Sequence, residues 1–130
     1  MSFGVKRSQA RPKLDHRNAE EDAGLAAYMI CTMSVHDAET YKKYTAVTPG
    51  TLARYGGRFL TRGEPVTTSE GEPFTQRMVI LEFPDRASAE AWYNDPEYQR
   101  VSEFRRAAAS DGRMILQEGR PQSAAPDPLV

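Results

Sequence analysis

Arg58-Phe59-Leu60-Thr61-Arg62 and Gln76-Arg77-Met78-Val79-Ile80-Leu81-Glu82-Phe83 decide the fold, with the polar stretch Gly63 to Pro73 between them. Both runs are rich in branched and aromatic side chains, and the intervening Gly, Glu, Pro and Thr residues favour a loop. Together they read as two strands of a long antiparallel hairpin. Successive strand side chains point to opposite faces, so parity sorts the hairpin into two surfaces. The odd positions (Phe59, Thr61, Arg77, Val79, Leu81, Phe83) suit a face packed under helices. The even positions (Arg58, Leu60, Arg62, Gln76, Met78, Ile80, Glu82) mix charge with apolar bulk. With this loop, facing residues sum to about 138 to 140, which puts Arg62 near Gln76 and Arg58 near Ile80 or Glu82.

Working outward, Leu25 to Val35 forms a first strand, rich in β-formers and free of Gly and Pro. Asp37 is placed to cap a helix in which Tyr41, Tyr44 and Val47 recur at helical spacing. Pro49 should kink or divide that helix, and Gly56-Gly57 should end it. After the hairpin, Asp85 can cap a helix over Arg86 to Tyr93. Asp95-Pro96 then starts another segment, with Tyr98, Val101, Phe104 and Ala108 along one face. Asp111-Gly112 should turn the chain into a last strand, Arg113 to Glu118, ending at Gly119.

The order strand, helix, strand, strand, helix, strand gives an α+β class. It fits a ferredoxin-like βαββαβ plait with a four-stranded antiparallel sheet and both helical connections on one face. The domain is expected over residues 25–119, between a flexible N-terminal arm (1–24) and a flexible, proline-rich C-terminal tail (120–130).

The sheet face away from the helices would carry Tyr28, Ile30, Leu60, Met78 and Ile80. That surface is too apolar for water, and no leftover element is available to cover it, so a homodimer is expected. Two sheets stacked face to face make a dimeric α/β barrel with a small cavity. Arg58, Arg62, Tyr28 and Glu82 are the polar groups that could project into it. One reading makes Arg58 and Glu82 a cross-strand ion pair with Arg62 reaching solvent. The other makes the cavity a site for a small anionic or aromatic ligand, held by Arg58 or Arg62, with Glu82 as candidate catalytic base.

The remaining composition narrows the classes. The chain of 130 residues carries 17 basic and 18 acidic side chains, a net charge of −1, with no basic stripe for nucleic acid. No apolar run is long enough to cross a bilayer and no secretory signal is evident, so a cytoplasmic protein without membrane partners is expected. The single cysteine, Cys31, lies in an apolar run and reads as a buried, inert thiol. His36 stands at a strand-to-helix junction with no clustered partner, so no metal site is indicated. In Trp92-Tyr93 one ring should pack in the core while the other walls a pocket entrance. Arg105 and Arg106, near a helix end, read as solvated. No phosphate-binding glycine loop or nucleophile elbow is present, and no cofactor is indicated.

Several motifs resemble a known family: Ala27-Tyr28-Met29-Ile30, Val35-His36-Asp37-Ala38-Glu39-Thr40-Tyr41, Tyr55-Gly56-Gly57-Arg58-Phe59-Leu60-Thr61-Arg62-Gly63, Ile80-Leu81-Glu82-Phe83-Pro84 and Ala91-Trp92-Tyr93-Asn94-Asp95-Pro96-Glu97-Tyr98. The chain is similar over Ala27 to Gly119 to domain-of-unknown-function family 1330, in the dimeric α/β-barrel superfamily. Ala38 departs from the proline that often follows the aspartate. The resemblance implies a ferredoxin-like homodimer in which Arg62, Glu82 and Tyr93 line or support the cavity, and it brings no assigned reaction. The superfamily includes cofactor-free monooxygenases, haem-degrading enzymes and plain ligand binders. The readings left open are therefore a small-molecule binder or enzyme, a non-catalytic structural or interaction homodimer, and a haem-binding protein using His36 or a monooxygenase-like one.

Overall fold

The computed structural model describes residues 25–121, so the expected arm and most of the expected tail lie outside the described residues. Its elements are β1 (Ala27–Val35), α1 (Ala38–Thr45), α2 (Thr48–Ala53), β2 (Arg58–Arg62), β3 (Arg77–Phe83), α3 (Arg86–Tyr93), α4 (Pro96–Ala108) and β4 (Ala109–Glu118). The four strands form one antiparallel sheet in the order β2-β3-β1-β4. This is the ferredoxin-like arrangement, with β1 and β3 central and each helical connection passing over one strand to reach an edge strand.

Local chemistry sets the boundaries. Asp37, Asp85 and Asp95 each accept a backbone N–H in the first turn of α1, α3 and α4, from Thr40, Ser88 and Tyr98 at 3.1, 2.8 and 3.0 Å. Pro49 sits in the first turn of α2, where its missing donor is not needed, so the first connection divides into two helices. Gly57 packs so closely that an added Cβ would lie 2.6 Å from Leu52 and 2.7 Å from Phe83.

The core lies between the sheet and the helices. Ala27, Met29, Cys31 and Met33 of β1 and Val79, Leu81 and Phe83 of β3 bury against Tyr41, Tyr44, Leu52, Trp92, Tyr98 and Val101. Burying each large side chain contributes about 1.5–3 kcal/mol. Trp92 and Tyr98 are fully enclosed, and the Trp92 indole N–H donates to Thr51 Oγ1 at 3.1 Å. Among the described residues no helix is long and apolar enough to cross a membrane.

Two bulges depart from the expected pattern, and both redirect side chains. In β2 the register runs Arg58↔Glu82 and Phe59↔Leu81, then Thr61↔Ile80 and Arg62↔Val79, so Leu60 is the extra residue. Thr61 Oγ1 accepts the Ile80 N–H at 3.0 Å and repairs the interrupted ladder. Beyond Leu60 the parity inverts, and Arg62 stands opposite Val79 rather than near Gln76. In β4 the sequence Asp111-Gly112 does not turn the chain. The strand begins at Ala109, directly after α4, and Asp111 takes a left-handed φ of 53° within an irregularity opposite Thr32 to Ser34. An Asp-Gly pair tolerates positive φ in a bulge as readily as in a turn.

The stripe of α4 also differs from the expected one. Tyr98, Val101, Ser102, Arg105 and Ala108 are buried, whereas Phe104 is 37% exposed with the Lys43 ammonium 5.5 Å from its ring centre. Arg105, read from sequence as solvated, therefore occupies the core-facing stripe.

Candidate functional site

On the sheet face opposite the helices, the register aligns Arg58, Glu82, Tyr28 and Gln117 in one row across the four strands. Arg58 Nε donates to Glu82 Oε1 at 2.6 Å, so the cross-strand ion pair is present and Glu82 is occupied by its neighbour. The next row is apolar, with Ile80, Ile30 and Ile115 side by side, and Leu60 bulges from the adjacent edge strand. Ile115 is 45% and Leu60 43% exposed, and Tyr28, Ile30, Met78 and Ile80 are only half-buried.

Arg58, Glu82 and Tyr28 thus share the surface on which the parity of the strands placed them, whereas Arg62, expected there too, and Tyr93, expected at a pocket entrance, lie elsewhere. The Leu60 bulge turns Arg62 to the helix side, where its guanidinium covers the Phe59 ring at 4.4 Å and donates to Thr45 O at 3.2 Å. Tyr93 ends α3, also on the helix side, with its ring 5.9 Å from that of Tyr98.

Tyr93 leads to a cleft that sequence reasoning missed. It encloses about 380 Å³ between β4 and the helices and is lined by Met29, Met114 and Leu116, by Tyr93 and Asn94, and by Arg105 and Arg106, with Glu90 and Gly112 at its margins. The floor is apolar because even-numbered β4 residues pair with the core-facing positions of β1, Met114 with Cys31 and Leu116 with Met29.

Arg105 gives this cleft its chemistry. The residue is 8% exposed, its Nε is buried without a hydrogen-bond partner, and among the described residues it has no carboxylate partner. Its guanidinium lies 5.7 Å from the Tyr44 ring centre. The Tyr44 and Tyr98 hydroxyls bond each other at 2.9 Å, and burial raises the pKa of both phenols, so they are neutral neighbours and leave the cation unbalanced. Burial disfavours the charge on Arg105, yet its surroundings on balance hold the guanidinium pKa above its ordinary value. The group is therefore charged, desolvated and short of a counterion, the arrangement expected of an anion receptor. Helical spacing carried a signal for it, since 98, 101, 105 and 108 form a better buried stripe than one through Phe104.

The other candidates fall elsewhere. Burial pushes the Cys31 thiol up to about 12, which leaves it protonated and unreactive. His36 is exposed, and its backbone N–H donates to Ala108 O at 2.9 Å. Among the described residues no group of His, Cys, Asp or Glu is arranged to hold a metal ion. Asp95 binds the Tyr55 hydroxyl at 2.7 Å and the Arg54 guanidinium at 3.0 Å besides capping α4; these bonds, that of Tyr55 foremost, hold its carboxyl below the usual range. That cluster ties α2 to α4 and is structural.

Comparison with known proteins gives one family and a set of folds. The model of the family described as domain of unknown function DUF1330 matches residues 26–120. A protein of unknown function from Rhodopseudomonas palustris is 22% identical with a TM-score of 0.62, the match covering 81% of this chain and 92% of that one. A dimeric ferredoxin-like protein of unknown function from Jannaschia is 16% identical with a TM-score of 0.52, covering 73% and 98%. A putative antibiotic biosynthesis monooxygenase from Nitrosomonas europaea is 14% identical with a TM-score of 0.50, covering 79% and 96%. At these identities the likeness is one of fold. No curated protein matches the chain.

Proposed function

The chain belongs to the DUF1330 family, and from that premise we propose that it is a homodimeric binding protein for a small organic acid with an apolar or aromatic body. The observation that carries this reading is the buried Arg105 guanidinium, without a carboxylate partner among the described residues, on the wall of a cleft whose floor is apolar. The carboxylate of the ligand pairs with Arg105, Arg106 adds charge at the rim, and the body of the ligand lies on Met29, Met114 and Leu116 beside the Tyr93 ring. A fork-shaped guanidinium in a dry setting recognises a planar carboxylate better than a lysine would. The volume of the cleft, about 380 Å³, suits a molecule the size of a substituted benzoate.

The expected role of Arg58 and Glu82 changes with this reading. Each satisfies the other on the far side of the sheet, so they serve the surface that a second copy covers. Ile30, Ile80, Ile115 and Leu60 form its apolar centre, and the Arg58–Glu82 pair fixes the register at one end. The dimeric state named for the Jannaschia relative supports this assembly. Fold likeness to a putative monooxygenase transfers no reaction, and the one carboxylate among the described residues lining the cleft, Glu90, is already paired with Arg86 at 3.0 Å.

A thermal-shift screen of the purified protein against carboxylic acids, with matched neutral amides and phenols, tests the proposal. A ligand at a hundred times its Kd stabilises by about 2.7 kcal/mol, which in a domain this small moves Tm by on the order of 10 °C. Acids should stabilise, their amides should not, and Arg105→Met should remove the effect. Stabilisation by none of the acids, or equally by acid and amide, would count against an anion receptor and leave the structural homodimer as the better reading.

A further inference from the structure

A second cleft, of about 640 Å³, opens at the end of the sheet where β1 finishes and β3 begins, on the wall formed by α1. Among the described residues that line it, three are cations, Lys42, Arg62 and Arg77, and none is acidic. Among the described residues neither Arg62 nor Arg77 is ion-paired. Glu64 stands beside them but is occupied, its Oε1 accepting the Arg62 backbone N–H at 2.6 Å. Lys42 reaches Glu39 at 3.5 Å, an exposed pair that solvent weakens.

The two guanidinium groups are held in place by neutral partners. The Leu60 bulge carries Arg62 to this side, over Phe59 and onto Thr45 O. Arg77 donates from Nε to the Tyr41 hydroxyl at 3.2 Å and from Nη2 to Arg62 O at 3.4 Å, with its guanidinium 5.4 Å from the Tyr41 ring centre. Gly63, at φ 90°, makes room for it, since a Cβ there would collide with the Arg77 guanidinium. These bonds use few of the five N–H donors that each guanidinium carries. The three cations outnumber the two carboxylates near them, Glu64 beside Arg77 and Glu39 beside Lys42, and an oxyanion of more than one charge offsets the excess while filling the free donors. Because the side chains are already positioned, little ordering remains to be done on binding.

We propose that this cleft binds the phosphoryl group of a small molecule, gripped by Arg62 and Arg77 with Lys42 at the rim. The site is separate from the Arg105 cleft, and the proposal does not rest on the function assigned there. A single carboxylate would satisfy one guanidinium, whereas a phosphoryl or diphosphoryl group can engage both.

Titration of the full chain with inorganic pyrophosphate, by calorimetry and by amide chemical shifts at constant ionic strength, tests this. The expected result is saturable binding with shifts confined to residues around Arg62, Arg77 and Thr45. Arg62→Gln should weaken it about tenfold, the loss of a charge-assisted contact, and Lys42→Gln several-fold. Arg100→Gln, an exposed charge on α4 away from the cleft, should leave it unchanged. Arg77→Gln should weaken binding as much as Arg62→Gln, but Arg77 also braces Tyr41. The exposed Arg62 and Lys42 variants, checked by melting temperature, therefore keep the result readable if Arg77→Gln folds poorly. No saturable binding, binding that Arg62→Gln and Lys42→Gln leave within about twofold, or equal weakening by Arg100→Gln would each overturn the site.

Discussion

Replacing Arg105 by Met should make the protein no less stable, and more stable if the guanidinium is there to receive a ligand. The residue is 8% exposed, and moving a charge into such a setting costs several kcal/mol even after relaxation. Against that stand the Tyr44 ring at 5.7 Å, contributing about 1–2 kcal/mol, and the neighbouring Tyr98 hydroxyl, which favours the charged form. These terms nearly cancel. Met keeps most of the buried stem and discards the charge, so the expected change lies between none and a gain of about 2 kcal/mol. For a domain of this size that corresponds to a rise in Tm of up to about 10 °C. The assay is urea or thermal unfolding of both proteins at neutral pH without added anions, followed by the same melts with benzoate. The wild-type protein should gain stability from benzoate and Arg105→Met should not. A loss of more than about 2 kcal/mol in the ligand-free variant would refute the reasoning, because it would mean that the guanidinium is structurally satisfied.

Three further outcomes are expected. Ile115→Glu puts a charge at the apolar centre of the sheet face at a position 45% exposed in a single chain, so it should give a folded monomer by analytical ultracentrifugation; an unchanged dimer would place the interface elsewhere. Cys31, its thiol raised to about 12 by burial, should resist a water-soluble disulfide reagent at pH 8 and react on unfolding, and rapid labelling of the native protein would contradict its buried placement. Asp37, Glu64 and Asp95 have carboxyls held below their ordinary values, chiefly by the Thr40 hydroxyl, the Arg62 backbone N–H and the Tyr55 hydroxyl respectively. Their folded-state values lie below the unfolded ones, so their stabilisation is complete above about pH 5, clear of the unfolded values, and is lost as pH falls through the folded values. The urea midpoint should therefore drop between pH 5 and pH 3, and a flat profile would count against these bonds.

The sheet was legible because its signals agree. β2 was read with its observed limits, from the Gly57 and Gly63 that bracket it, and β3 to within one residue of its start. The three capping aspartates were equally plain, since a short carboxylate before a helical run has few other uses there. The bulges were not legible in the same way. Alternation through Phe59-Leu60-Thr61 fits a regular strand as well as an interrupted one, and the Thr61 hydroxyl that closes the gap leaves no mark on the pattern. That one residue moved Arg62 to the other side of the sheet and changed which groups share a site. Arg105 was overlooked for a different reason. Charged side chains are usually outside, so the sequence points to Phe104 for the buried stripe although Arg105 has the better spacing from Tyr98 and Val101. A buried cation breaks the general rule, and such breaks gather where a protein meets a ligand.

Anion binding in this cleft requires that the unpartnered Nε–H of Arg105 meet a carboxylate, and its own nitrogen resonance reports that contact. In a two-dimensional proton–nitrogen spectrum of the full chain titrated with benzoate, the Arg105 Nε–H signal should move downfield and saturate, with the amides of Tyr93, Gly112 and Met114 following the same curve. An Arg105 signal that stays fixed while benzoate reaches tens of millimolar, about the weakest affinity such a cleft would allow, would contradict the proposal that this cleft is an anion receptor.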